Sequence, residues 1–233
     1  MPGPVFLAQT WRDMIFVHWA LEPATVSGLF PDGTRPDTLD GRTYVGIVGF
    51  AISSTRVFGV LEIGPTYELN VRLYSIDDQG RQGVVFLSMD VTRADMVMVA
   101  RALPRVPYLW SRLEPVRPGP EVAGFRLRRR LRSHLDARVE VEVRAPVDPP
   151  SRLEIFLISR WGLHTRTALG TTWIPIAHPP LPLYSGRLRQ ADETLLTAVG
   201  VPVPGDPAVS VLWSPGKSAE IGRPARVPGR KAS

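Results

Sequence analysis

The sequence predicts an α+β domain, mainly antiparallel β, curled or closed into a barrel with helices covering one end. Three observations predict it. Period-two alternation, or short β-branched and aromatic runs, recurs along the chain, and that is the pattern of strands. The 24 prolines and 20 glycines cut the chain into short pieces. No helical period runs beyond about a dozen residues.

The strands are expected at 13–20 (DMIFVHWA), 43–53 (TYVGIVGFAIS), 67–75 (YELNVRLYS), 83–90 (GVVFLSMD), 123–132, 138–145 (RVEVEVRA), 166–174 and 208–213. The turn residues IDDQG at 76–80 make a hairpin of the third and fourth. Helices fall between them. Glu22-Pro23 opens a short one, with proline in the first turn. Thr92 caps a helix over 93–102 that stops before Pro104. Ser151 and Glu154 have capping-box spacing for a helix over 152–160, ended by Trp161-Gly162. A last helix is expected at 190–199, before Gly200. These elements form one domain over 1–221. The Pro/Gly/Arg-rich tail, 222–233, is expected to be frayed.

Composition excludes several classes. With 44% hydrophobic and 21% charged residues over 233 positions, wholesale disorder is excluded. The absence of cysteine removes disulfides, thiolate nucleophiles, iron–sulfur clusters and cysteine zinc sites. The opening MPGPVFLAQTW has no basic residue before Arg12 and no small-residue cleavage site, so no signal peptide is read. The conspicuous apolar run TYVGIVGFAISST lies between Arg42 and Arg56 and is shorter than the roughly 20 residues a bilayer span needs. A soluble, cytoplasmic protein with no membrane partner is expected; a homo-oligomer is left open.

The net charge of +6 invites a nucleic-acid reading. Residues 217–233 hold +4 of it, which leaves a nearly balanced body. That is not a phosphate-tracking surface, and nucleic acid is not favoured as a partner. In FRLRRRLR (125–132), Arg126, Arg128, Arg130 and Arg132 share one strand face. That face is either solvated or a patch for an acidic partner; no aromatic side chains interleave to stack bases.

No dinucleotide, Walker, nucleophile-elbow or H-E-x-x-H motif is present, so no cofactor is expected. His18, His134, His164 and His178 are scattered without metal-ligand spacing, and no metal site is expected. The strand 67–75 is more informative. Glu68, Asn70 and Arg72 share one face, opposite Tyr67, Leu69, Val71 and Leu73. Either this face is solvated, or it lines the lumen of a closed sheet. In a lumen, Arg72 would clamp an anionic group, Asn70 would hold an oxygen, and a desolvated Glu68 would move a proton as the candidate catalytic group. The neighbouring strand puts Phe86, Ser88 and Asp90 on one face, beside that set. Asp90 also reads as a cap-like residue before the next helix. His18 shares a face with Met14 and Phe16 and reads equally as a core histidine. His18, Ser88, Asp90 and Tyr108 complete the candidate substrate-binding residues.

Seven stretches in order carry a family resemblance: QTWRDMIFVHWAL (9–21), LDGRTYVGIVGFAI (39–52), YELNVRLYS (67–75), GVVFLSMD (83–90), PYLWSRL (107–113), LEIFLISRWGLHT (153–165) and IAHPPLPLYSGRL (176–188). Over about residues 7–215 the chain resembles the YqjF-like proteins, a bacterial family without an established activity. The resemblance implies the acetoacetate decarboxylase-like fold, a curved, cone-like antiparallel β-barrel with a central ligand cavity and flanking helices. Proteins of that fold accept small keto acids, and their best-known chemistry forms a Schiff base on a pocket lysine. This sequence departs there. Its only lysines are Lys217 and Lys231, near the end of the chain, and arginine cannot form the imine. The expected function is binding of a small carboxylate- or carbonyl-bearing molecule, with lyase-, isomerase- or cyclase-like acid–base chemistry open to it. The alternative is a non-catalytic interaction or regulatory protein that uses the basic face 126–132 and the tail.

Overall fold

Strand-forming runs take up most of the chain in a computed structural model that describes residues 4–97, 106–130, 135–168 and 170–227. Among the described residues the strands are β1 (Val5–Leu21), β2 (Thr34–Pro36), β3 (Thr43–Val57), β4 (Leu61–Ile63), β5 (Thr66–Asp77), β6 (Gln82–Val91), β7 (Tyr108–Val116) and β8 (Val122–Arg129). They continue as β9 (Asp136–Pro146), β10 (Gly162–Thr167), β11 (Gly170–Ala177), β12 (Tyr184–Ala191), β13 (Ser210–Ser214), β14 (Ser218–Gly222) and β15 (Ala225–Arg226). All join one curved sheet, antiparallel except where β6 meets β7 and β10. No helix among the described residues is long and apolar enough to cross a membrane.

The pairings run in two circuits that share β1, β3, β5 and β6. One returns to β1 through β10, β11 and β14; the other returns through β7, β8, β9, β12 and β13. The shared strands therefore bury both faces. Odd positions of β5 (Leu69, Val71, Leu73) join one core with Ile15, Ile47 and Phe125. On the even face, Tyr74 joins a second core with Phe16, Val48, Phe50 and Leu157. This explains the unbroken apolar run of β3, whose Val45 and Ile47 enter the first core while Tyr44 and Val48 enter the second. The first circuit closes through a parallel contact of Leu163 with Val84. Two glycines permit it: a Cβ on Gly83 or Gly162 would lie 2.5 or 2.4 Å from the Trp173 ring.

Several expectations need correction. The strand expected at 166–174 is a hairpin of β10 and β11, with Gly170 taking φ +105° at the turn. Its Thr-rich pattern has no Pro, Asn or Asp to mark that turn. Most of the helix expected at 190–199 is absent. Gln190 and Ala191 pair with β9, and only Thr194–Thr197 is α-helical. The helix after Glu22 is a single turn, Pro23–Val26. Of the helix expected at 93–102, residues 94–97 are helical and 98–102 lie outside the described residues. Thr92 does not cap it. Its hydroxyl accepts from the Tyr67 amide at 3.2 Å and lies 2.8 Å from the Thr66 hydroxyl. The helix Arg152–Ile158 has the expected capping box: Glu154 N–H donates to Ser151 Oγ, and Ser151 N–H donates to Glu154 Oε2 at 2.6 Å. The chain also stays on the sheet beyond 222, since Ala225–Arg226 pairs with β11 and Val227 is buried. Residues 228–233 lie outside the described residues.

The basic face is shorter and more neutralised than expected. β8 ends at Arg129, and Arg126 and Arg128 both donate to Asp136. Arg130 stacks over Trp110, 4.7 Å from its centroid, and Arg132 lies outside the described residues.

Candidate functional site

The second core is not filled. A cavity of about 180 Å³ lies inside the first circuit, lined by side chains of β1, β3, β5, β6, β10, β11 and β14. Alternation along β5 aims Glu68, Asn70 and Arg72 into it. Register extends the polar level sideways: Phe16 pairs with Val48, Val48 with Asn70, Asn70 with Met89, and Met89 with Tyr108. All five line the cavity, so a phenol from β7 joins the β5 trio.

The rest of the wall is mostly apolar, and that sets the electrostatics. Asn70 Nδ2 donates to Glu68 Oε1 at 3.0 Å, while Asn70 Oδ1 is buried without a partner. Burial pushes the Glu68 carboxyl up to about 7, against the opposing pull of the Asn70 amide and the Arg72 charge. Burial also raises the Tyr108 phenol, aided by the Glu68 charge, so it remains a neutral donor. Arg72 Nη2 donates to Tyr74 Oη and to the Leu157 carbonyl, both at 3.3 Å. Its Nε is buried without a partner, and among the described residues no carboxylate forms an ion pair with it. Phe16 and Tyr74 flank the guanidinium at 5.8 and 5.6 Å from their centroids.

Three of the sequence candidates lie elsewhere. Ser88 and Asp90 do not stand beside Glu68. The pairing shifts where Val71 meets Ser88 and Arg72 meets Phe86, which leaves Leu87 as an extra residue. This bulge turns Phe86 and Met89 into the cavity and Ser88 and Asp90 away from it. Asp90 instead holds Arg129 through two bonds of 2.9 Å and accepts from Ser111 Oγ at 2.6 Å. Both members of that pair are buried. Asp90→Ala is therefore expected to cost about 3–5 kcal/mol of stability by stranding the Arg129 charge, as measured by denaturant unfolding. His18 is fully buried on the same face as Phe16, but outside the lining. Burial, with the Arg72 charge, holds its imidazole well below the ordinary value, and both ring nitrogens lack partners.

Two lining residues were missed, Arg160 and His178. Arg160 pairs with Asp37, donates from Nε to the Phe156 carbonyl at 2.7 Å and stacks on Phe156. His178 Nδ1 lies 2.9 Å from the Pro179 carbonyl, so Nδ1 holds the proton and Nε2 is the free acceptor. Burial lowers its pKa, and the imidazole is neutral at pH 7. Neither residue sits in a periodic pattern with the β5 trio, and both are far from it in sequence. A third arrangement resembles a catalytic triad. Ser75 Oγ is 2.8 Å from His164 Nδ1, and His164 Nε2 is 3.2 Å from Asp77 Oδ2. Ser75 is fully buried and outside the cavity lining, so this chain ties β5 to β10. Lys217 is exposed between β13 and β14, away from the lining. Among the described residues no cluster of metal-ligating side chains forms.

Comparison with known proteins agrees with this fold. The uncharacterized protein YqjF of Bacillus subtilis (strain 168) is 24% identical over 210 residues, 87% of this chain and 85% of that protein. An acetoacetate decarboxylase-like enzyme from Sphingomonas wittichii RW1 superposes with a TM-score of 0.63 at 15% identity, over 96% of this chain and 93% of that one. The enduracididine biosynthesis enzyme MppR, in complex with pyruvate, superposes with a TM-score of 0.67 at 12% identity, over 97% of this chain and 91% of that one. At such identities these structures establish a shared acetoacetate decarboxylase-like fold. Residues 8–218 match the DUF2071 family of uncharacterized conserved proteins, and the chain belongs to that family.

Proposed function

We propose that the cavity binds a small organic anion, a carboxylate- or carbonyl-bearing molecule, and that it supports acid–base chemistry without a Schiff base. One observation carries the reading. Arg72 Nε and Asn70 Oδ1 are both buried without partners in a mostly apolar cavity. Leaving such groups unpaired costs about 1–3 kcal/mol each; a ligand oxyanion supplies the acceptor for Arg72 Nε, and a ligand O–H supplies the donor for Asn70 Oδ1. Arg72 takes the negative oxygen, Asn70 Oδ1 accepts from a hydroxyl or protonated acid group of the ligand, and Glu68, with a pKa of about 7, holds or releases a proton at neutral pH. Tyr108 supplies a neutral donor and His178 a neutral acceptor. Proton transfer next to a carbonyl needs only these parts, so a lyase-, isomerase- or cyclase-like step fits the site. That MppR holds pyruvate on this fold supports the ligand class. The alternative, an acidic partner on the 126–132 face, is weakened by the engagement of Arg126 and Arg128 with Asp136.

A thermal-shift screen against 2-oxo acids, 3-oxo acids, hydroxy acids and plain monocarboxylates tests the reading. A ligand at 100 times its dissociation constant is expected to add about 2.7 kcal/mol, a shift of a few degrees. Stabilisation by no acid, with stabilisation by oligonucleotides or acidic peptides, would move the function to the surface.

A further inference from the structure

We infer that the natural ligand is an amphipathic carboxylate, with an apolar chain lying along the cavity from Arg72 toward the β3–β4 hairpin. The inference rests on the anion site proposed above and adds the other half of the ligand. Polarity is distributed unevenly along the cavity. Arg72 lies opposite Gly46, Asn70 opposite Val48 and Glu68 opposite Phe50, and the unpartnered Arg72 Nε and Asn70 Oδ1 lie at the end of this trio away from the hairpin.

The cavity then follows β3 from Val48 to Val57, roughly 30 Å of strand contour. At its far end the wall is Phe6, Leu7, Val57, Ile63 and Ile221, all apolar. Leu7 pairs with both Val57 and Ile221, which fixes these residues at one level. Polar groups between the two ends are already satisfied. Trp11 Nε1 donates to Gln9 Oε1 at 2.9 Å, and Gln9 Nε2 donates to Thr55 Oγ1 at 3.4 Å. This stretch therefore offers a ligand mainly apolar contact. The apolar path continues outward. The Phe58 ring meets Phe6 edge-on at 4.6 Å, and Phe58, Val60 and Leu61 stand exposed on the hairpin.

A two- or three-carbon acid held at Arg72 would leave this wall unfilled, forfeiting its dispersion contacts. An acyl chain fills it, and each buried methylene is worth about fourfold in affinity.

Calorimetric titration of the full chain with butanoate, hexanoate, octanoate and decanoate tests the inference. Affinity is expected to rise about three- to fourfold per methylene, on the order of a thousandfold across the series. Phe50→Ala, opposite Glu68 in the register and within reach of a ten-carbon chain held at Arg72, is expected to cost decanoate about tenfold more than butanoate. Trp11→Ala, the next lining residue toward the hairpin, is expected to do the same. Affinities independent of chain length but lost in Arg72→Ala would overturn the acyl channel and leave the anion site standing. Length-dependent binding shared by decan-1-ol and indifferent to Arg72→Ala would overturn the carboxylate head. Binding of none of the four acids would overturn both.

Discussion

Arg72→Ala is expected to weaken binding of any carboxylate ligand by roughly 10- to 150-fold, the loss of one charged hydrogen-bonding group from a buried site. The effect is large because nothing else on the cavity wall does the same job. Arg160, the other lining guanidinium described, is already committed to Asp37 and the Phe156 carbonyl. The variant also strands the Leu157 carbonyl and Tyr74 hydroxyl that Arg72 Nη2 serves, so a stability loss of about 1–2 kcal/mol is expected beside it. Arg72→Lys separates the two effects. It keeps the positive charge but has no Nε–H in a planar fork, so it is expected to recover only part of the affinity. Calorimetry on the two variants, with circular dichroism to check the fold, reads both. Unchanged affinity in Arg72→Ala would remove the anion site.

Glu68→Gln is expected to stabilise the protein at neutral pH. Burial raises this carboxyl from 4.5 to about 7 in the folded chain. Below pH 4.5 it is protonated in both states and costs nothing. Between pH 4.5 and 7 the unfolded chain releases the proton while the folded chain keeps it, so wild-type stability falls across that window. A shift of this size corresponds to roughly 3 kcal/mol. Glutamine avoids the loss and still accepts from Asn70 Nδ2. Unfolding free energies of the two proteins should therefore coincide near pH 4 and diverge by roughly 3 kcal/mol by pH 7.5, with the variant more stable. Turnover that depends on Glu68 should be lost in the same variant while carboxylate affinity persists. Parallel stability curves from pH 4 to 7.5 would show that Glu68 is not desolvated.

The part of the cavity wall legible in the sequence lies where one physical rule acts alone. Strict alternation over YELNVRLYS commits Glu68, Asn70 and Arg72 to one face whatever the surrounding topology. The same rule failed one strand later, because a bulge at Leu87 reverses the faces and leaves no mark on local alternation. Ser88 and Asp90 were misplaced for that reason alone. Arg160 and His178 reach the cavity only because β10 and β11 close the first circuit, a long-range event that no short window records. The two cores behind β3 and β5 were only half visible: a run such as TYVGIVGFAIS shows burial but not that its two faces serve different interiors. Turns carried by a single glycine, as at Gly170, were missed, whereas the Ser151/Glu154 box, with a side-chain mechanism of its own, was legible.

The most direct measurement is a crystal structure with an acid found in the thermal-shift screen. A ligand carboxylate within hydrogen-bond distance of Arg72 Nε, a ligand oxygen beside Asn70 or Glu68, and any chain directed toward Leu7 and Ile63 are expected. An acid bound outside the first circuit, or one lying in the cavity with its carboxylate away from Arg72, would contradict the anion site.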